Sequence, residues 1–342
     1  MPDILNNSNS VKKKKIILIS GDTKLGTCGV NDYSVNLFNS LIDQGYLIEH
    51  LKVASFAQWI GALKKSITSD LIHMQYPNMS WRTSGLPLLM ILVLKLFRKK
   101  TILTLHEFTR AHDLRKILCI LMLRMTNQCI VTNSYEEKAI FLAANKKNNI
   151  IIIPIGSNIK APTQICKKKS GIIYFGLLAP GKGLERFIKI TQFINKIKYS
   201  VTVIGGAVKG HEEWLKKIIS ANPEIKFRIN LTEVEVSEQL NKAFIALLPF
   251  PDGISGRRGS ALAALSHNLQ VITTSGNSTI DIHREVCHIY ESEEEARDQI
   301  LGLLEGDIDP IPPGVIKKYT ALHSWKNITD THIFTYSKIR LG

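Results

Sequence analysis

Short apolar runs alternate with longer stretches of mixed polarity along the whole chain. In the first half the runs are Ile16–Ser20, Leu47–Val53, Leu71–Met74, Thr101–Leu105, Cys129–Thr132 and Ile150–Pro154. In the second half they are Ile172–Phe175, Val201–Ile204, Ile225–Ile229, Phe244–Leu248 and Val271–Thr273. Runs this short and this rich in Ile, Val and Leu predict strands covered on both faces. Between them lie helical patterns: Val30–Gln44, Gly183–Asn195, His211–Ser220, Ser237–Lys242 and Gly259–His267. Strands that alternate with helices imply parallel sheets with right-handed crossovers. Over 342 residues this predicts an α/β protein of two Rossmann-like domains, their parallel sheets facing across a cleft. The boundary is placed near residue 160, giving domains at 1–160 and 161–320. Gly156–Ser170 holds Pro162 and the run Lys167–Lys169, lacks apolar periodicity, and is read as the linker.

A hydrophobic fraction of 44% suits two buried cores and excludes a disordered chain. Five scattered cysteines, without metal-ligand spacing, read as reduced thiols of a cytoplasmic protein. Residues 1–10 are polar and carry no signal-peptide pattern. Charge is uneven: residues 1–160 carry 21 Lys and Arg against 10 Asp and Glu, while residues 161–342 carry 23 against 19. A basic N-terminal half points to an anionic partner. Nucleic acid is not expected, because the basic residues are not interleaved with aromatics and aromatics make up only 7% of the chain. The apolar runs Leu86–Leu94 and Ile117–Met125 are too short to span a bilayer, and both have basic flanks. Each reads either as an interfacial helix on an anionic membrane or as a buried core helix.

Candidate chemistry clusters in three places, all just after predicted strands, where doubly wound sheets bind ligands. Pro249–Ser260 ends a strand and leads into an alanine-rich helix, so Arg257 and Arg258 sit in a glycine-flanked turn at a helix start. Free amides, the helix dipole and guanidinium forks together suit a phosphate or diphosphate. Gly176–Glu185 likewise follows a strand, with Lys182 between Gly181 and Gly183, and would complete a three-cation cradle for a diphosphate leaving group. In the first half, Gly21–Tyr33 links the first strand to the first helix, and Gly26 and Gly29 would bring amides near a phosphate or sugar. His106 and Glu107 form a titratable pair at a strand end, suited to general acid–base work or to holding a sugar. The lone Asp-x-Asp triplet, Asp307–Asp309, lies in a proline-rich segment and reads as a solvated turn, so no metal is expected.

Together these pieces resemble glycosyltransferase family 4, enzymes of the two-domain GT-B type. The resemblance rests on Gly26–Tyr33, Leu71–Tyr76, Leu105–Glu107, Ile153–Gly156, Tyr174–Gly183, the stretch around Asp252, and the tail Ser324–Tyr336. It implies a metal-independent hexosyltransferase that retains anomeric configuration and needs no cofactor beyond a nucleotide-sugar co-substrate. The C-terminal domain would hold the donor and the N-terminal domain a glycan or lipid-linked acceptor, in surface polysaccharide or glycolipid synthesis at the inner membrane surface. Residues 321–342 would form a helix that packs back on the first domain. His106 would contact the transferred sugar, with Glu107 beside it, and Lys182 the diphosphate. Gly26, Gly29, Gly176, Asp252, Ser255, Arg257, Arg258, Gly259 and Ser260 fall to the donor, and Tyr33, Gln75 and Tyr76 to the acceptor. The chain departs from the family where an arginine is usual after Gly176, here Leu177, and where two glutamates are usual, here Ser255 and Ala263. Arg257 and Arg258 are expected to supply the missing cation. The missing carboxylates leave a second reading, a non-catalytic sugar-nucleotide scaffold or sensor on the same fold.

Overall fold

A computed structural model describes residues 14–22, 29–78, 80–81, 84–144, 150–192 and 199–339. The chain divides into two compact units, residues 1–153 with 329–342, and residues 154–328.

The first unit is built from β1 (Ile16–Gly21), α1 (Gly29–Asp43), β2 (Ile48–Val53), α2 (Phe56–Ile67), β3 (Leu71–Tyr76), α3 (Leu86–Leu96), β4 (Lys100–Leu105), α4 (Asp113–Met125), β5 (Gln128–Val131), α5 (Ser134–Ala144) and β6 (Ile150–Ile152). All six strands run parallel, in the order β2-β1-β3-β4-β5-β6. Side chains on a strand alternate between the two faces. Ile17, Ile19, Ile72, Met74, Tyr76, Leu103, Leu105, Cys129 and Val131 therefore meet α2 to α5 in one apolar core. Their neighbours in sequence, among them His73, Gln75 and Thr104, face the opposite way, where His73 is bonded to a further helix. That helix is α13 (Trp325–Lys338), whose residues from Thr329 onward belong to this unit. Helix α2 starts on a capping box between Ser55 and Gln58.

The second unit runs β7 (Ile172–Leu178), α6 (Leu184–Thr191), β8 (Val201–Ala207), α7 (Glu212–Ala221), β9 (Lys226–Ile229), α8 (Glu233–Lys242), β10 (Ile245–Leu248), α9 (Gly259–Ser266), β11 (Gln270–Thr274), α10 (Asp281–Val286), β12 (His288–Tyr290), α11 (Glu293–Glu305) and α12 (Pro313–Leu322). Its sheet is again all parallel, in the order β12-β11-β10-β7-β8-β9. One core lies on each side of it. Strand β12, His-Ile-Tyr, holds a single aliphatic residue and does not show as an apolar run. The two-unit α/β architecture is the one expected.

The expected linker is not free. Asn241 on α8 accepts from the Cys166 amide at 3.0 Å and donates to the Gln164 carbonyl at 3.0 Å. Ser237, also on α8, donates to the Lys160 carbonyl at 3.0 Å, and Lys169 donates to the His267 carbonyl. The segment's polarity reflects backbone docked on polar side chains of α8, a pattern that periodicity does not reveal. The four cysteines among the described residues are all unpaired.

Candidate functional site

In each sheet the crossover direction reverses at one point, between β7 and β10 in the second and between β1 and β3 in the first. Ligands of such sheets bind beyond the strand ends at that point.

In the second unit two loops meet there. The first, 179–183, leaves β7. Its carbonyl at Lys182 accepts from Tyr174 Oη at 3.0 Å, and burial holds that phenol's pKa far above its usual value, so it stays a donor. Gly181 and Gly183 have φ of +69° and +100°, a region that costs any residue with a Cβ. Gly183 caps α6, and a methyl group on it would overlap the carbonyl oxygen of Pro249 in the second loop. That contact fixes the two loops side by side. Lys182 is exposed beside it. Above the neighbouring strand, a methyl group on Gly205 would overlap the Gly176 carbonyl oxygen, so β7 and β8 also close tightly at this end.

The second loop, 249–258, turns sharply at Gly253 (φ +81°) and packs its backbone on Ser275 and Gly276 beyond β11. Arg258 is paired with Asp252. Its guanidinium lies 4.4 Å from the centre of the Phe250 ring, and its Nε donates to the Gly253 carbonyl at 3.3 Å. Two residues expected to hold the donor thus hold each other, and Arg258 serves as the strut of the turn. Arg257 is half-buried at the start of α9, next to Gly259 and Ser260, the first two residues of that helix. Ser255 and Ala263, at the two departed positions, are buried. Ala263 packs in the apolar core, where no ligand reaches it.

In the first unit the expected residues gather around β3 and β4. Gln75 is fully buried, and its Oε1 accepts from His106 Nε2 at 2.7 Å. Its Nε2 lies 3.0 Å from His73 Nε2, which is also 2.7 Å from Thr104 Oγ1. His73 Nδ1 is 2.8 Å from Tyr336 Oη on α13. The Tyr33 ring on α1 meets His106 edge-on at 5.0 Å, and its hydroxyl lies 2.8 Å from His332 Nε2, again on α13. Burial pushes His106 and His332 down to about 3 and His73 well below its usual value, so all three rings are neutral. With Nε2–H of His106 given to Gln75, its Nδ1 is the ring's acceptor. His332 Nδ1 is buried without a partner among the described residues.

Tyr76, expected at the acceptor, is a core residue: the alternation that turns Gln75 toward α13 turns Tyr76 onto Trp81, ring against ring at 6.2 Å. Tyr33 and Gln75 are buried supports of this network rather than surface groups. Glu107 is partly exposed and paired with Arg110 at 3.6 Å. Gly29 opens α1, and Gly26 lies outside the described residues. The sequence reading missed Glu136. Its fully buried carboxylate accepts from the Phe108 and Thr109 amides at 2.9 and 3.0 Å and from Thr109 Oγ1 at 2.7 Å, pinning the loop after β4. It also missed His73, which lies two residues before Gln75 and so on its face, and His332 and Tyr336, four apart on one helix face.

No family model and no curated protein matches the chain. Among solved structures it is similar to sucrose-phosphate synthase from Thermosynechococcus elongatus, with a TM-score of 0.66 at 15% identity over 95% of this chain and 99% of that one. It is also similar to a glycosyltransferase from Rickettsia africae, with a TM-score of 0.67 at 12% identity over 96% of this chain and 98% of that one. The pneumococcal O-GlcNAc transferase GtfA, solved with UDP and GlcNAc, gives a TM-score of 0.62 at 13% identity over 82% of this chain and 60% of that one. The likeness is one of fold. The architecture is that of the GT-B glycosyltransferases. Among the described residues, no group of three His, Cys, Asp or Glu side chains is placed to hold a metal ion.

Proposed function

We propose that the chain is a glycosyltransferase, moving a hexose from a nucleotide-sugar donor to a glycan or lipid-linked acceptor, with retention at the anomeric carbon and without a metal ion. The observation that carries this reading is the close approach of Gly183 to Pro249 at the switch point of the second sheet. On this reading Lys182, in the first of the two loops, and Arg257, in the second, would together compensate the charge that a diphosphate develops as its bond to the sugar breaks. Arg258 holds the turn in place through Asp252 and Phe250. In the first unit, neutral His106 presents a fixed tautomer suited to a sugar hydroxyl. The product would be a surface polysaccharide or glycolipid assembled on the cytoplasmic side of a membrane. The fold shared with enzymes of this kind supports the reading.

Titration calorimetry with UDP-, GDP- and ADP-linked sugars tests it. One donor should bind, and Lys182→Ala with Arg257→Ala should weaken it by about tenfold or more, the loss of a charge-assisted contact. Failure of every nucleotide sugar to bind would refute the proposal. Ser255, where the resembled family carries a glutamate, motivates a second reading, a binding module without turnover. Hydrolysis of the bound donor would eliminate that alternative.

A further inference from the structure

Helices α3 and α4 pack on the same face of the first sheet and against each other. Each buries one side in that core: Met90, Ile91 and Leu94 from α3, and Cys119, Met122 and Leu123 from α4. The outward sides of both helices are apolar as well. Leu89, Leu92 and Leu96 on α3 are 53%, 44% and 76% exposed. Leu114, Ile117 and Leu121 on α4 are 55%, 54% and 40% exposed. In each helix the spacing is i, i+3, i+7, a stripe about 10 Å long at 1.5 Å per residue. Soluble monomers rarely leave two adjoining stripes of this kind uncovered.

The rim of this face is cationic. Residues 84–126 hold eight Lys and Arg against two carboxylates. Both carboxylates are already paired within the face, Glu107 with Arg110 at 3.6 Å and Asp113 with Lys116 at 3.7 Å. Lys95 and Arg98 stand exposed at the end of α3 and Arg124 at the end of α4. A second copy of the chain would bring like charge against like charge here. An apolar centre ringed by Lys and Arg matches instead the acyl boundary and phosphates of an anionic bilayer. No described helix is long and apolar enough to cross a membrane, so the contact would be interfacial.

We infer that the outer face of α3 and α4 is a docking surface for an anionic lipid bilayer, with the leucine stripes entering the headgroup–acyl boundary and the basic rim meeting lipid phosphates. Both helices begin at the C-terminal ends of the strands, the end that carries His106, so a docked molecule would hold that end near lipid-linked material. This deepens the acceptor side of the reading above, but its readout needs no turnover, and its failure leaves the donor site untouched.

The test is flotation of the full chain with vesicles of phosphatidylcholine alone or with about 30 mol % phosphatidylglycerol. Binding is expected to the anionic vesicles only, and to be lost as salt rises from about 0.1 to about 1 M, where the screening length falls from about 10 to about 3 Å. Leu92→Glu with Ile117→Glu, both at exposed positions, should lower partitioning by about tenfold or more, and so should Lys95→Glu with Arg124→Glu. Val234→Glu, at an exposed apolar site of the second unit, should leave partitioning unchanged. The inference is overturned if the parent chain ignores anionic vesicles, or if Leu92→Glu with Ile117→Glu binds as well as the parent. It is overturned too if light scattering finds a dimer that this pair of substitutions makes monomeric, since a second copy would then cover the face.

Discussion

Replacing Gly183 with alanine tests the contact on which the proposed donor site depends. Two terms add at this position. The left-handed backbone, φ +100°, costs an alanine about 1–2 kcal/mol. The new methyl group would overlap the Pro249 carbonyl oxygen, which is backbone and cannot swing aside, and overpacking of that kind costs about 1–3 kcal/mol. Gly183→Ala should therefore lose about 2–5 kcal/mol, less the few tenths that a stiffer unfolded chain returns. Gly181→Ala is the matched control. It has a similar φ, +69°, but nothing lies within 4 Å of its missing methyl, so only the first term applies, about 1 kcal/mol. Urea denaturation of the two variants measures the difference, and titration with the bound nucleotide measures whether the loops have parted. Gly183→Ala should weaken nucleotide binding where Gly181→Ala does so much less. Equal stability and equal affinity for the two variants would refute the claim that the approach of the loops builds the site.

Three further outcomes are expected. The folded pKa of His332 lies near 3, below the unfolded value of about 6.5, so its contribution to stability is full above pH 6.5 and falls away as pH drops through that value toward 3. His332→Gln should flatten the fall in unfolding free energy, measured by urea denaturation between about pH 6.5 and 5, by about 1 kcal/mol per pH unit, and an unchanged slope would show that the ring is not held neutral. Glu136→Ala should cost about 2–3 kcal/mol by orphaning two amides and a hydroxyl, with faster amide exchange at Phe108 and Thr109; exchange no faster than in the parent would contradict the pinning role. Gly205→Ala should force β8 away from the Gly176 carbonyl and lower the melting temperature by several degrees, and a melting temperature equal to the parent's would show that β7 and β8 do not close there.

Strand positions were legible because β-branched and leucine runs have few alternatives in an α/β chain, and eleven of the twelve strands among the described residues coincide with such runs. The candidate site was partly legible for the same reason: the glycines of 181–183 and the arginines of 257–258 follow strands, and ligands of such sheets bind beyond strand ends. What stayed hidden was pairing. Nothing in the local sequence says that Arg258 reaches back six residues to Asp252, or that Asn241 and Ser237 hold a segment over seventy residues away. The buried polar network around His106 was half visible. Gln75 and His106 lie in motifs of the first half, but the network closes through Tyr33 on His332 and His73 on Tyr336, contacts with the far end of the chain that only the fold supplies. Tyr76 was misassigned by one residue of strand alternation.

The first sheet has one face held by apolar burial, and another where a chain of hydrogen bonds is added to the burial of Ile16, Leu18, Leu71 and Ile102. Toward α2 to α5 the strands offer mostly Ile, Met, Leu, Val, Cys and Tyr, and that layer relies on apolar burial, which fades on cooling. Toward α13 they offer His73, Gln75 and Thr104 in a bonded chain, an enthalpic attachment that cold does not weaken in the same way. Chilling should thus slacken the layer that bears the leucine stripes before the one that bears His106.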